Sequence, residues 1–386
     1  MVPAARISAA IEVLDRILAG TPADASLTNW GRANRYAGSG DRAAIRDLVF
    51  DALRCKRSFA AYGGAQTGRG LMLGCVRATG QNEAALFTGV GHAPALVGDT
   101  ETAGTLSDLE SLDCPDWLAP RLKQSLAAAF APIMAALQTR APVVLRVNLA
   151  RITRETAQAR LAQEGIETAV HALADTALQV GTPTRKILTT KLYLDGLIEL
   201  QDAASQAVVA AIPLTDGQRV LDYCAGAGGK ALAMAARANI ILSAHDAEPA
   251  RMRDLPDRAA RAQAKIALVT HPAGQAPYDV VLADVPCSGS GSWRRDPAGK
   301  WALTEARLAQ LIALQASILD QIVPLVAPDG KLAYTTCSLL AEENQDQIRG
   351  FLVRHPEWRE QTHHHFTPLD GGDGFFLAIL GRKEKQ

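Results

Sequence analysis

Apolar residues recur at helical spacing in the first third of the chain. In the last half they come as short, near-continuous runs, and the stretch between is mixed. From Ala4 to Leu18, the residues Ile7, Ile11, Leu14, Ile17 and Leu18 share one helical face. Gly40 and Asp41 announce a second helix, with Asp41 as N-cap of the run 42–58 and Ile45, Val49, Phe50 and Leu53 as its stripe. Further Ala- and Leu-rich stretches to about Leu137 also read as helices, which predicts an all-α domain over 1–139. A small α/β module follows over 140–203. There VVLRVN alternates as a strand, TRETAQARLAQEG reads as a helix closed by Gly165, and ETAVHALADTALQV gives more strand. GLIELQDAASQAVVAAI is expected to be a loop entering a helix.

Over 204–386 the strand candidates are 219–224, 240–246, 266–271, 278–286 and 331–338, most of them followed by a helical segment. Apolar strands separated by helices predict a parallel, doubly wound α/β sheet. The C-terminal DGFFLAILGR adds one more strand, expected at an antiparallel edge.

A chain of 386 residues exceeds what one core usually serves, in keeping with this division. No apolar run approaches the roughly 18 uncharged residues of a membrane helix. Arg6, Glu12, Asp15 and Arg16 interrupt the N-terminal segment, unlike a signal peptide, so a cytoplasmic protein without membrane contact is expected. Lys plus Arg (40) equals Asp plus Glu (40), so no bulk positive charge advertises nucleic acid, although local patches can still steer it. The six cysteines are Cys55, Cys75, Cys114, Cys224, Cys287 and Cys337. None forms a CxxC pair, which argues against a metal site and for reduced thiols.

Chemistry concentrates at the strand ends. Asp222, Asp246, Asp284 and Cys337 each fall at or just past the carboxyl end of an expected strand, and in a parallel sheet those ends share the ligand-binding edge. In VLDYCAGAGGK the glycines Gly226, Gly228 and Gly229 allow backbone approach to a ligand, and the helix behind them offers free N–H groups. A P-loop fails, because Cys224 stands at its first Gly position and Ala231 replaces its Ser/Thr. Gly226, Gly228 and Ala231 fit G-x-G-x-x-A, and Asp246 lies about twenty residues on, where a ribose-binding acid belongs. This points to a nucleoside cofactor, with an adenosyl ribose and a nicotinamide dinucleotide both left open.

ADVPCSGSG (283–291) and YTTCS (334–338) narrow the choice. Carbon 5 of cytosine is too weak a nucleophile to take a methyl group unaided. A thiolate added at carbon 6 makes the ring an enamine, carbon 5 attacks the methyl sulfonium, and loss of its proton expels the thiolate. That chemistry needs a thiolate, an acid at the base edge and a second group for the elimination. Cys337, Asp284 and Cys287 are residues of those types on neighbouring strand ends.

DYCAGAGGK, DVPCSGSGSWRRDP, YTTCSLLAEEN and DGFF resemble the motifs of the Nop/Sun (RsmB-type) family of S-adenosylmethionine-dependent RNA cytosine-5 methyltransferases. LRVN, LIELQDAASQ and GSGDRAAIRDLVFDALR resemble that family's linker module and NusB-like helical domain. The resemblance implies a Rossmann-like catalytic domain with Cys337 as nucleophile, Cys287 assisting release and Asp284 holding and protonating the base. It also implies S-adenosylmethionine among Asp222, Cys224, Ala225, Gly226, Gly228, Gly229, Lys230, Asp246, Arg251 and Asp284. Cys224 itself reads as packing beneath the loop. The partner implied is RNA, with small-subunit (16S) ribosomal RNA ahead of transfer RNA, and the chain is expected to be a monomer.

The chain departs from the family at Gly226-Ala227, where Ala-Pro is usual. It departs again at VTHPAG (269–274), which lacks the usual Asp for the adenine and leaves His271 or a backbone group in its place. A DNA cytosine-5 methyltransferase would place its nucleophile in the Pro-Cys motif, and the Thr-Cys on the next tip favours RNA. A nicotinamide-dependent oxidoreductase would leave both cysteines idle. Arg42, Arg46, Arg54, Lys56 and Arg57 form either a solvated helix face or an RNA contact. Arg294, Arg295 and Lys300, beside Cys287, are expected to meet phosphates. His363, His364 and His365 are expected on a surface or edge strand rather than at a metal.

Overall fold

A computed structural model describes residues 1–181 and 185–384. Residues 182–184, within the expected linker span 140–203, and 385–386, at the end of the expected catalytic span, lie outside the described residues. The chain divides into two compact units, one of residues 1–140 with 293–302, the other of 141–292 with 303–386.

The first unit is helical. The helix Pro3–Leu18 buries Ile7 and Leu14 of the expected face together with Ala10 and Val13, while Ile11, Ile17 and Leu18 pack partly buried against the same core. The next long helix runs Ser39–Arg54 behind an N-cap at Gly38. Asp41 is therefore not its cap. It lies in the first turn, where it accepts from the Met1 ammonium at 3.1 Å and from Arg6 Nε at 2.9 Å. The expected single run to 58 breaks at Cys55, whose backbone (φ −110°, ψ 36°) ends one helix, and Lys56–Gly63 starts another. Lys56–Gly63 and Gly68–Ala78 pack backbone to backbone: a Cβ on Gly63 would lie 1.8 Å from the Gly70 carbonyl oxygen, and one on Gly74 would lie 1.8 Å from that of Phe59. Only glycine permits that approach.

The expected basic faces are mostly spent inside this unit. Arg54 is buried, donating from Nε to the Arg294 carbonyl (2.8 Å) and pairing with Asp51 (2.7 Å). Arg57 pairs with Asp116, and Arg42 donates to the Ala37 carbonyl. Arg294 and Lys300 are buried as well, with Lys300 Nζ on the Arg54 carbonyl at 3.1 Å, so neither meets the phosphates expected of it. Arg295 is exposed.

The second unit holds two sheets. Strands β1 (Val144–Val147), β2 (Thr168–Val170), β3 (Ala177–Val180) and β4 (Ile198–Leu200) form an antiparallel sheet in the order β2-β3-β1-β4. The helix Arg154–Gln163 packs on it, capped by the Thr153 side chain at the Thr156 N–H. Ile198–Leu200, expected to be loop, is thus an edge strand, and Asp202 caps the helix Ala203–Ala210 behind it.

The large sheet comprises β5 (Arg219–Asp222), β6 (Ile241–Ala244), β7 (Ile266–Leu268), β8 (Tyr278–Asp284), β9 (Val326–Thr336), β10 (Trp358–Phe366) and β11 (Phe375–Arg382). Its order is β10-β11-β9-β8-β5-β6-β7. Strands β9, β8, β5, β6 and β7 are mutually parallel, while β11 runs antiparallel to both β9 and β10. The last strand is therefore internal, and the edge belongs to β10, which carries His363, His364 and His365. Alternation sends Val220, Val280 and Leu282 into a core with the helices Ala203–Ala210 and Gly229–Ala235. Leu221, Val281 and Ala283 point into another with Glu305–Ile322 and Gln345–Arg354, as a doubly wound sheet requires. By length and composition Glu305–Leu325 could also cross a membrane. Glu305, Arg307 and Asp320 interrupt its apolar run, so it holds no stretch of about 18 uncharged residues. In the fold, Leu308, Leu311, Ile318, Leu319 and Ile322 bury one side of it.

Candidate active site

The parallel order sets the ends of β5, β6, β8 and β9 along one edge, and with them Asp222, Asp246, Asp284 and Cys337. The loop after β5 is held by backbone geometry. Gly226 and Gly228 have φ of +50° and +80°, and a Cβ on Gly228 would lie 2.1 Å from Leu255 Cδ1. Beyond it the helix Gly229–Ala235 begins, and Arg146 of β1 donates to the Gly229 carbonyl at 2.7 Å.

Asp246 is buried two residues past β6. It accepts from the N–H groups of Gly226 and Glu248, each at 3.0 Å, and pairs with Arg251 at 3.2 Å. A carboxylate offers about four acceptor positions, so one is left for a ligand hydroxyl. Ala225 is buried in the core around Leu255, and Cys224 packs partly buried against the core around Leu221, its thiol pushed well up by burial. His271 is exposed beyond β7, while His245 Nδ1 faces the Val269 carbonyl at 2.9 Å.

Asp222 is fully buried, and neither carboxyl oxygen has a hydrogen-bonding partner. Burial, then the charge of Asp284, push its carboxyl up to about 7; Lys230 and the Ala231 N–H oppose this, the latter without reaching hydrogen-bond geometry.

Lys230 Nζ lies 2.6 Å from Asp284 Oδ2 and 4.9 Å from the centroid of the Phe375 ring. Burial alone would weaken its hold on the proton, but the Asp284 carboxylate outweighs this and holds the ammonium above its usual range.

Cys287 and Cys337 come together with sulfurs 3.4 Å apart, both partly exposed. They differ in what surrounds them. Cys337 is drawn below the ordinary thiol range, first by the hydrogen bond from Cys287, with Lys230 and Ser292 assisting against burial and Asp284. Cys287 is raised well above it by that same bond, by burial and by the charges of Cys337 and Glu343. Beyond their mutual hydrogen bond, Lys230 lies on the Cys337 side and Glu343 on the Cys287 side, so the surrounding charges favour the thiolate at Cys337 over one at Cys287.

Sequence reasoning passed over the polar layer behind the cysteines. Glu343 is fully buried and accepts from the Ser288 N–H at 2.8 Å, from Gln315 Nε2 at 3.0 Å and from the hydroxyls of Ser288 and Ser338. The signal lay in YTTCSLLAEEN, where an acid follows closely on an apolar strand end. Among the described residues, no group of three or more His, Cys, Asp or Glu side chains is placed to hold a metal ion.

A parallel sheet with a glycine loop after its first strand and acids at the next strand ends is the Rossmann-like methyltransferase arrangement. Residues 209–384 match the family model described as 16S rRNA methyltransferase RsmB/F, and residues 114–186 match the RsmF/B-like ferredoxin-like domain. The ribosomal RNA small subunit methyltransferase B of Yersinia pseudotuberculosis (serotype O:1b) is 34% identical over 289 residues, 70% of this chain and 66% of that protein. Its namesake from Erwinia tasmaniensis is 35% identical over 284 residues, 69% and 66%. The chain thus spans just under two thirds of the length of these curated relatives. It belongs to the RsmB/F methyltransferases of the Nop/Sun family.

Two crystal structures share the fold. That of PH0851 superposes with a TM-score of 0.76 at 23% identity, covering 99% of each chain. That of NSun6 from Pyrococcus horikoshii with SFG superposes with a TM-score of 0.62 at 17% identity, covering 70% of this chain and 99% of that one.

Proposed function

We propose that the protein transfers a methyl group from S-adenosylmethionine to carbon 5 of a cytosine in small-subunit (16S) ribosomal RNA, through a covalent bond between Cys337 and carbon 6, in the cytoplasm. The observation that carries this reading is the pair of thiols 3.4 Å apart beside the Lys230–Asp284 ion pair. The names of the curated relatives support the RNA, and the neighbour solved with SFG, an S-adenosylmethionine analogue, supports the cofactor.

S-adenosylmethionine supplies the electrophilic methyl group. Asp246 has one acceptor position free for a ribose hydroxyl, and the backbone from Ala225 to Gly229, with Arg251 beside it, lines the cofactor's approach. The Cys337 thiolate adds to carbon 6, and the Lys230–Asp284 pair meets the charge that this pushes towards N3 of the ring. Cys287 retains its proton while Cys337 attacks, and afterwards it takes part in the elimination that frees Cys337.

The experiment is adduct trapping with labelled 16S RNA. Cys337→Ala forms no adduct and no methylcytosine. Cys287→Ala methylates about once per enzyme and stays bound as a heat-stable band on a denaturing gel. If Cys337→Ala is the variant that traps RNA, the roles are exchanged and the assignment falls. Adducts with transfer RNA alone would overturn the ribosomal substrate while leaving the chemistry in place.

A further inference from the structure

The residues immediately after the two cysteines, Ser288 and Ser338, meet on one buried side chain. Glu343 receives the Ser288 N–H and hydroxyl, the Ser338 hydroxyl and the Gln315 amide. Four donors fill the roughly four acceptor positions of a carboxylate, which is what a charged group so deeply buried requires. The surrounding contacts hold Glu343 in turn. Its own carbonyl accepts from Tyr334 Oη at 2.7 Å, and Gln315 also donates to the Pro286 carbonyl at 2.9 Å. Asn344 completes the layer, with Nδ2 on the Ser338 carbonyl at 2.9 Å. The thiols stand on the loops just past β8 and β9, which also meet where the Gly291 N–H donates to the Cys337 carbonyl (2.9 Å) and the Leu339 N–H to Ser290 Oγ (2.8 Å).

We propose that Glu343 is a positioning residue that ties the loops behind Cys287 and Cys337 to a single carboxylate, and so fixes the separation of the two sulfurs and sets a negative charge behind Cys287. The inference rests on the cysteine roles proposed above. It extends them to a residue that touches neither substrate nor cofactor and acts through Ser288 and Ser338. Its charge also bears on the chemistry. A full negative charge behind Cys287 opposes a thiolate there and leaves the thiolate to Cys337, which faces Lys230. The other charged or titratable groups facing the pair are Asp284, beside Cys337, and Tyr334, beside Cys287.

Charge and reach can be separated by substitution. Glu343→Gln keeps the length and removes the charge; Glu343→Asp keeps the charge and shortens the reach. Alkylation of the cofactor-free, full-length protein by iodoacetamide, followed at each cysteine by mass spectrometry between pH 5 and 10, needs no RNA. In the unsubstituted protein Cys337 reacts at lower pH than Cys287. In Glu343→Gln the Cys287 profile moves to lower pH and the Cys337 profile moves less, while in Glu343→Asp the Cys287 profile stays. Both variants lose turnover on RNA by roughly ten- to a hundredfold, the scale of a small misplacement of reacting groups, with the KM for S-adenosylmethionine within about twofold, the loss thus falling on kcat.

An unmoved Cys287 profile in Glu343→Gln overturns the proposal, whatever happens to turnover. Should Glu343→Gln not fold, Ser338→Ala removes one tether and leaves the carboxylate. It is expected to lower kcat without changing cofactor KM, and unchanged kcat overturns the proposal. A shifted alkylation profile in a protein that forms no Cys337–RNA adduct would instead uphold the clamp and sink the proposed function.

Discussion

Asp222 shows how much a single buried group can ask of a fold. Its carboxyl sits at the end of β5 with no donor on either oxygen, and it is held up to about 7 against about 3.8 in a free chain. Below pH 4 the folded and unfolded states both carry the proton, and the group costs nothing. As pH rises through the unfolded value only the unfolded chain ionises, so stability falls from about pH 4 and the loss is complete above about pH 7. Asp222→Asn removes the titration. Its stability relative to the unsubstituted protein should therefore rise between pH 5 and pH 8, by on the order of 2–4 kcal/mol. Denaturant unfolding at the two pH values checks this, and a constant difference would show that Asp222 does not change its proton over that range. Asp222, Asp246, Asp284 and both cysteines stand at or just past the strand ends expected of them, because a residue at the tip of an apolar run announces itself. Of Glu343, Ser288 and Gln315 only Glu343 leaves a local signal, an acid just past an apolar strand end; what marks the three together is convergence from three segments on one point, and no local pattern records that.

At the scale of elements, the glycine loop is where backbone geometry decides function. Gly228 stands at φ +80°, a region that costs an ordinary residue roughly 1–2 kcal/mol, and a Cβ there would also strike the buried Leu255 at 2.1 Å. Gly228→Ala is expected to displace the start of the helix Gly229–Ala235 and weaken S-adenosylmethionine binding by at least about tenfold, the equivalent of about 1.4 kcal/mol. Gly40→Ala, outside the site, is the control, since its φ is not positive and nothing lies within 4 Å of its Cβ position. Calorimetry with both variants gives the answer, and equal affinities would mean that the loop tolerates a side chain. The same period-of-two and period-of-three-to-four patterns that predicted this strand, loop and helix predicted most of the sheet. They failed where burial is symmetric. The strand Phe375–Arg382 is apolar almost throughout because it is internal, not an edge, whereas the polar run holding the three histidines is the edge strand expected of it.

On the scale of the whole molecule, a segment far along the chain returns to the first compact unit. Residues 293–302, which directly follow the loop of Cys287, belong with the helical unit. There Lys300 Nζ donates to the Arg54 carbonyl, Trp301 Nε1 to the Leu53 carbonyl at 2.6 Å, and Ala298 packs against the helical core. Burial holds the Lys300 ammonium down at about 8, which marks a side chain enclosed by that unit rather than one presented to phosphate. Composition hid this: SWRRDPAGKW reads as a basic surface loop, and only the partner residues, some 240 positions away in sequence, show otherwise. Deletion of residues 1–140 therefore removes the surroundings of a segment it does not touch. The fragment 141–386 is expected to expose Trp301 and the apolar part of this strap, where one Trp alone can bury about 150–250 Å². It should bind a hydrophobic dye and self-associate in light scattering. The same fragment with Trp301→Gln and Ala298→Ser should bind less dye and remain dispersed. Equal dye binding and equal dispersity of the two fragments would mean that the strap finds other cover, and that the helical unit is not what keeps it folded.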